Sequence, residues 1–234
     1  MRDSDFMSRK IVLELNNLSK YYLKGKNRLI ILDDITYKFY NKKFYVIKGE
    51  SGAGKSTLIQ ILGLLKREND GEIIINDRST KKMNEDKKAD LRAKEIGFVF
   101  QDYYLNPTMN ALENVMLPMY IIEKDKKIIK DKALKLLKSV GLEYREGHYS
   151  SELSGGEQQR VAIARSIANN PNIILADEPT GSLDPKNEKE ILKILKQIAD
   201  EGKCVIVVSH SENVLKYADV VLEIKNHKLI EVKK

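Results

Sequence analysis

The chain has 234 residues, of which 42% are hydrophobic, and it carries a formal net charge of +7. This length suits about one domain with a substantial core, and the single cysteine excludes a disulfide framework within one chain. The single cysteine also favours a reducing compartment. No apolar run approaches the roughly 20 residues that span a bilayer. Because the lysine excess is spread along the chain, we expect no nucleic acid partner, although a membrane surface would suit the charge.

The first part of the chain favours an antiparallel β unit. Short strands are predicted at residues 11–15 and 32–39, with a turn at residues 24–27. Tyr21 and Tyr22 precede this turn. A tyrosine there either packs in a core or stacks on a nucleotide base, and spacing alone does not decide between the two.

Residues 49–56, GESGAGKS, fit the phosphate-loop pattern G-x-x-x-x-G-K-[ST]. A buried strand is predicted before the loop, at residues 44–47, and an apolar helix opening after it, at residues 57–62. The glycines let backbone amides and the helix N-terminus point at phosphate oxygens, while Lys55 reaches the terminal phosphates and Ser56 offers a hydroxyl to Mg²⁺. An ordinary glycine-rich turn would not require this context. The predicted phosphate-binding residues are Gly49, Ser51, Gly52, Ala53, Gly54, Lys55, Ser56 and Thr57.

The middle of the chain combines strands with a helical insertion. Further strands are predicted at residues 72–75 and 96–100. Gln101 follows the second strand, where it either contacts metal or water in the ligand crevice of an α/β sheet or simply opens a loop. Residues 109–140 are predicted to be helical, interrupted at Pro118, which indicates an all-helical insertion between two parts of a sheet.

Residues 153–160, LSGGEQQR, predict the start of another helix. Ser154 suits the N-cap position, and the amides of Gly155 and Gly156 offer a second anion site at a helix N-terminus. Plain capping is the alternative, but it does not require two glycines.

The last third of the chain supplies candidate catalytic groups at strand ends. An apolar strand is predicted at residues 173–178 and ends in Asp177, placed to help hold Mg²⁺, and Glu178, placed to deprotonate a water. The next core strand, at residues 205–208, is followed by His210, which either donates to a phosphate or is an ordinary polar residue. Strands at 220–224 and 228–232 flank a predicted tight turn.

Taken in order, these motifs resemble the ATP-binding cassette (ABC) family of ATPases over nearly the whole chain. The combination of LSGGEQQR with ADEPTGSLD at residues 176–184 is highly specific for that family. The resemblance implies one α/β domain over residues 1–234. Residues 1–108 and 153–234 would form a P-loop NTPase core with an antiparallel β subdomain, and residues 109–152 most of an inserted α-helical subdomain.

The resemblance also implies ATP and Mg²⁺ as cofactors, and a role for each matching residue. Tyr22 would stack on adenine, with Tyr21 as a substitute, and Lys55 and the loop amides would bind phosphate. Gln101 would sense Mg²⁺ and the membrane partner. Asp177 would help bind Mg²⁺ with Ser56.

Hydrolysis would rest on Glu178 as the catalytic base and His210 as the switch histidine. Ser154 and Gly156, next to Gly155, would contact the γ-phosphate of ATP held by the other subunit, and Asp184 would lie at that interface. A homodimer in the ATP-bound state is therefore implied.

Within the family, the chain is most similar to ATPases of the MacB, LolD and FtsE type, although residues 41–43 lack the usual Gly-Glu turn and Asn106 replaces an apolar residue. This implies a subunit at the cytoplasmic face of the cell membrane. It would serve a separate permease with an extracytoplasmic domain, either in export of peptide, antibiotic or lipoprotein or in force transmission. The alternatives are a soluble ABC ATPase acting on nucleic acid or ribosomes, and an ATP-gated binding module without useful hydrolysis.

Overall fold

A computed structural model describes residues 9–25 and 27–233. Lys26, within the predicted turn at 24–27, lies outside this range, as do residues 1–8 and 234. The described strands are β1 (Ile11–Lys24), β2 (Asn27–Tyr40), β3 (Lys43–Lys48), β4 (Asp70–Ile75), β5 (Arg78–Ser79), β6 (Ile96–Phe100), β7 (Ile173–Asp177), β8 (Cys204–Val208), β9 (Val220–Lys225) and β10 (Lys228–Val232). The described α-helices are α1 (Lys55–Leu62), α2 (Glu85–Glu95), α3 (Ala111–Met116), α4 (Lys126–Ser139), α5 (Gly155–Ser166), α6 (Pro185–Asp200) and α7 (Glu212–Leu215).

Two sheets organise these elements. One is antiparallel, with strand order β2-β1-β4-β5. The other has the order β10-β9-β3-β8-β7-β6, and its strands are parallel except for β10 at the edge. Parallel strands need crossovers that cover both faces of the sheet, which explains why β8 is buried along its whole length.

The parallel sheet separates two hydrophobic cores. On one face, α1 packs with residues of the antiparallel sheet, including Leu58, Leu62 and Leu15. On the other face, α3, α4, α5 and α6 pack together through residues such as Val115 and Leu195. Strand ends and helix starts therefore meet along the edge where β3, β6, β7 and β8 end.

The predicted helical stretch at 109–140 is shorter and less regular than expected. Asn110 caps α3 instead of joining it, because its side chain accepts from the Glu113 amide. Pro118 lies in a 3₁₀ turn over Leu117–Ile121, which links α3 to α4. Asn114, 1% exposed, ties the preceding loop to α3 through hydrogen bonds with Asn106, Met109 and Asn110.

Within the described residues, no helix is both long enough and apolar enough to cross a membrane. The tight turn predicted before the last strand is present at Asn226 and His227, which both adopt positive φ. That backbone conformation suits a two-residue hairpin between β9 and β10.

Candidate active site

A cleft of about 490 Å³ opens where parallel strands end. In the strand pairing, Phe100 lies opposite Asp177, and Val208 lies opposite both Asp177 and Ile47. The segments that follow β3, β6, β7 and β8 therefore share one edge of the sheet. The cleft is lined by Ile31, Ser51, Gly52, Gly54, Lys55, Ser56, Thr57, Gln101, Glu178, Gly181, Val208 and His210. It therefore unites the predicted phosphate loop with groups from three later strands.

The phosphate loop wraps around the ammonium group of Lys55. This group donates to the carbonyl oxygens of Gly49 and Glu50, each at 2.9 Å, and the residue is only 6% exposed. Burial lowers the pKa of Lys55, while the charges of Glu178 and Asp177 act in the opposite direction. Helix α1 has neither a side-chain cap nor an acidic residue in its first turn, so its first N–H groups are free to bind an anion.

Gly54 is required where the loop meets the β hairpin. Its φ is +100°, a left-handed conformation that disfavours other residues. An added Cβ would lie 2.8 Å from Cγ2 of Ile31 and 3.3 Å from its carbonyl oxygen. Ile31 on β2 therefore forms a wall of the cleft, a role that the sequence analysis did not assign.

Asp177 ends β7 beside the loop helix. Its Oδ1 atom is buried and forms no hydrogen bond with any described residue. Burial, and then the charge of Glu178, raise the pKa of Asp177, while Ser56 and Lys55 act to lower it. A cation next to this carboxylate would satisfy the orphaned oxygen and offset the desolvation.

These groups fit Mg²⁺ held jointly with phosphate oxygens. Across residues 9–25 and 27–233, no group of three or more His, Cys, Asp or Glu side chains is placed to hold a metal ion by itself. Mg²⁺ at nucleotide sites uses one or two protein groups together with phosphates and waters. Ser56 and Asp177 match that limited set, and Gln101 lines the same cleft.

Glu178 is held at the end of β7 in an uncommon backbone conformation. Its φ is +46°, and its N–H donates to the carbonyl of Val208 at 2.9 Å. The carboxylate accepts from the N–H of His210 at 3.3 Å, and the imidazole Nε2 lies 3.6 Å from Oε1. Left-handed backbone at a non-glycine residue is found at functional sites where neighbouring structure holds it in place. The structure thus pairs the candidate base with His210.

The residues of the LSGGE segment lie outside the cleft. Ser154 caps α5, and Asp184 caps α6 by accepting from the amides of Lys186 and Asn187. A Cβ at Gly156 would collide with the side chain of Asn187, which also donates to Asp184. The two helix starts therefore pack together as a second polar surface, separate from the residues that line the cleft.

Tyr22 is likewise not one of the residues that line the cleft. It is 41% exposed, and its hydroxyl is 3.4 Å from the ammonium of Lys66. On β1 it faces Leu29, two residues from Ile31 on β2. The pairing register shifts between Lys20 with Leu32 and Tyr21 with Ile30, so Ile31 is the unpaired residue of a bulge in the same hairpin that holds Tyr22.

Comparison with known proteins places these motifs in a family. A family model described as ABC transporter matches residues 32–181. An ABC transporter ATP-binding protein of Methanocaldococcus jannaschii is 44% identical over 94% of this chain and 99% of its own length. The lipoprotein-releasing system ATP-binding protein LolD of Treponema denticola is 42% identical over 97% of this chain and 100% of its own length. The macrolide export ATP-binding/permease protein MacB of Bdellovibrio bacteriovorus is 45% identical over 92% of this chain but only 33% of its own length.

Solved structures agree with the sequence comparison. A dimeric, post-hydrolysis structure of the ATP-binding cassette MJ0796, bound to ADP and Pi, matches with a TM-score of 0.84 and 37% identity. The match covers 95% of this chain and 99% of that chain. The predicted cassette fold is confirmed. The chain therefore belongs to the ABC transporter family, as an ATP-binding cassette ATPase.

Proposed function

We propose that this chain is the ATP-hydrolysing subunit of a MacB- or LolD-type transporter, that two copies close around two ATP molecules, and that a separate permease couples the cycle to the membrane. One observation carries the proposal. Lys55 and Glu178 line one cleft, next to Asp177 at the end of β7, whereas Ser154 and Asp184 form a second polar surface outside it. Each copy thus offers two half-sites, and a second copy would complete each of them.

ATP would bind through its phosphates and its base. The N–H groups of α1 and the Lys55 ammonium would hold the β- and γ-phosphates. Tyr22, which belongs to the same hairpin as the cleft residue Ile31, would stack on adenine. Mg²⁺ would be held by Ser56, Asp177 and Gln101, and it would neutralise charge on the phosphate oxygens.

Hydrolysis would use Glu178 as the general base. The carboxylate would take a proton from a water whose oxygen bonds to the γ-phosphorus, while the bond from phosphorus to the β–γ bridging oxygen breaks. ADP and inorganic phosphate are the products. His210, within 3.6 Å of this carboxylate, would hold it in place and donate to the γ-phosphate.

The second half-site supports assembly in pairs. The first amides of α5 and the Ser154 hydroxyl form the N-terminus of a 12-residue helix, a favourable position for a phosphate. Asp184 packs beside it through Asn187. The similar cassette MJ0796 has been solved as a dimer. A head-to-tail pair of this chain would bring Ser154 and Gly156 of each copy to the nucleotide held by the other.

A permease would dock beside the helical segment, which we propose as most of a helical subdomain over residues 109–152. Large apolar side chains are exposed there, including Leu117, Tyr120 and Ile121. A cavity of about 510 Å³ lies next to them, lined in part by Phe100 and Tyr104. An exposed apolar patch of this kind marks an interaction surface. The chain would thereby be held at the cytoplasmic face of the membrane by a permease with an extracytoplasmic domain.

The test is the oligomeric state of Glu178→Gln with and without Mg-ATP, measured by light scattering on a sizing column. Blocking hydrolysis should trap the closed pair, so the expected result is a monomer that becomes a dimer only with Mg-ATP. The matched control is Lys55→Ala/Glu178→Gln, which should not bind ATP and should stay monomeric. A Glu178→Gln chain that binds ATP but remains monomeric would contradict the proposed pair.

A further inference from the structure

A network of short hydrogen bonds surrounds Glu157 at the start of α5. Its Oε2 accepts from the Ser154 N–H at 2.9 Å and from the Ser154 hydroxyl at 2.8 Å. Its Oε1 accepts from Nε of Arg145 at 2.8 Å. The carboxylate is 18% exposed and the guanidinium 46% exposed, so the pair lies at the rim of the helix start. One carboxylate therefore links Arg145 to the capping serine.

This carboxylate is charged at every working pH. The Ser154 N–H, and then the Arg145 guanidinium, lower the pKa of Glu157 to about 2. Under the proposed function, the phosphate of the neighbouring copy's ATP would approach the N-terminus of α5, close to this negative charge. Like charges in such a contact repel unless a cation compensates, and Arg145 is the ion-pair partner of Glu157 within the described residues.

The network also fixes the direction of the Ser154 hydroxyl. In the single chain this hydroxyl donates to Glu157, so it has to turn away before it can donate to a phosphate. If it turns, Oε2 of Glu157 keeps the Ser154 N–H and Oε1 keeps Arg145. Because neither carboxylate oxygen is left without a donor, releasing the hydroxyl costs little.

We infer that Arg145 is a positioning residue for the contact between α5 and the neighbouring copy's ATP: by pairing with Glu157 it cancels the carboxylate charge beside the phosphate and frees the Ser154 hydroxyl to donate to it. The inference rests on the proposed function. Arg145 touches no nucleotide in this account and acts only through Glu157.

The backbone around Arg145 is anchored independently of its side chain. The Arg145 N–H donates to the carbonyl of Leu142, and its carbonyl accepts from the N–H of His148, both at 3.0 Å. The carbonyls of Glu146 and His148 in turn accept from the first amides of α3. Besides the Glu157 pair, truncating the guanidinium removes one exposed contact, 3.4 Å between its Nη1 and Nε2 of His148, so the segment should stay folded and the effect of the charge can be measured.

The experiment measures ATP-dependent dimerisation of variants built on Glu178→Gln, by light scattering over a range of protein concentrations in saturating Mg-ATP. An ion pair at this exposure changes an equilibrium by about threefold. A closed pair contains two such contacts, so Arg145→Ala should raise the dimer dissociation constant by about tenfold. The affinity of the monomer for a fluorescent ATP analogue should stay unchanged, because the phosphate loop is untouched.

Rescue by a second change separates charge from packing. Arg145→Ala/Glu157→Gln removes the uncompensated charge and should return the dissociation constant to within about threefold of the Glu178→Gln parent. Lys94→Ala, which breaks an exposed ion pair with Asp90 on α2, is the matched control and should change nothing.

Two outcomes would overturn the inference while leaving the proposed function intact. One is an Arg145→Ala chain that dimerises as tightly as the parent. The other is a double variant as weak as Arg145→Ala alone, which would mean that the arginine acts by packing. If the parent itself stays monomeric with Mg-ATP, the proposed pair fails, and the inference fails with it.

Discussion

Replacing Glu178 by glutamine removes proton acceptance with little change in shape. Glu178 is the only acidic residue among the described residues that line the cleft. The amide keeps an oxygen to accept from the His210 N–H, and the backbone bond to the Val208 carbonyl is unaffected. Since general-base assistance contributes roughly 10²- to 10⁴-fold in rate, we expect turnover to fall by that factor, equivalent to about 3–5 kcal/mol in the barrier.

Binding should respond in the opposite way. Glu178 contributes a negative charge near the site of the γ-phosphate, so its loss should leave ATP affinity equal or slightly higher. The assays are steady-state phosphate release and titration with a fluorescent ATP analogue. The matched control is Glu188→Gln, because Glu188 accepts from Ser211 and Asn213 and does not line the cleft. Phosphate release by Glu178→Gln within about threefold of the parent rate would refute its role as the base.

Three further predictions concern the structure around the site. Gly54→Ala places a Cβ against Ile31 at a left-handed position that costs about 1–2 kcal/mol, so affinity for the ATP analogue should fall by roughly tenfold or more; unchanged binding would contradict the contact. Asn114→Ala breaks buried hydrogen bonds and should lower the free energy of unfolding in urea by about 2–4 kcal/mol, against less than about 1 kcal/mol for the exposed Asn172→Ala. Burial raises the pKa of the Cys204 thiol, so iodoacetamide at pH 8 should modify the unfolded chain but not the native one, as followed by mass spectrometry.

Elements with strong local signals could be predicted from the sequence. The strand, loop and helix around residues 44–62 follow from one motif and its apolar flanks. The apolar runs that became β7 and β8 are short, continuous and bounded by polar groups, as expected for strands covered on both faces. The predictions for β1 and β2 were correct in place, but both strands extend well beyond the predicted residues. The added residues, such as Leu23, are exposed, and pairing with the other strand keeps them extended without burial.

Helices α2, α6 and the four-residue α7 were not predicted, and the first two were missed for different reasons. α6 has a clear signal, with Asp184 as cap, Pro185 in the first turn and a buried stripe that includes Leu192 and Leu195, but this signal overlaps the family motif that ends at Asp184. α2 has a weak signal, since only Lys88 and Leu91 are buried along its 11 residues. A helix held by so narrow a face leaves little periodicity in the sequence.

Parts of the site depend on tertiary packing that local patterns do not contain. Ile31 reaches the phosphate loop only because the β hairpin folds over Gly54. The positive φ of Glu178 is held by the neighbouring strand through the Val208 carbonyl. Arg145 lies in the segment of residues 140–154 that connects α4 to α5, and the folded path of this segment brings its side chain to Glu157.

The central claim is that each ATP site is completed by a second copy of the chain, and mixing two inactive variants tests it directly. Lys55→Ala damages the phosphate loop, and Gly156→Asp places a carboxylate at the start of α5, so each variant alone should release phosphate at background rate. In an equimolar mixture, about half of the pairs combine the two variants, and each mixed pair contains one intact site. The account predicts recovery of up to about a quarter of the parent rate. A mixture no more active than the mean of the two separate variants would contradict it.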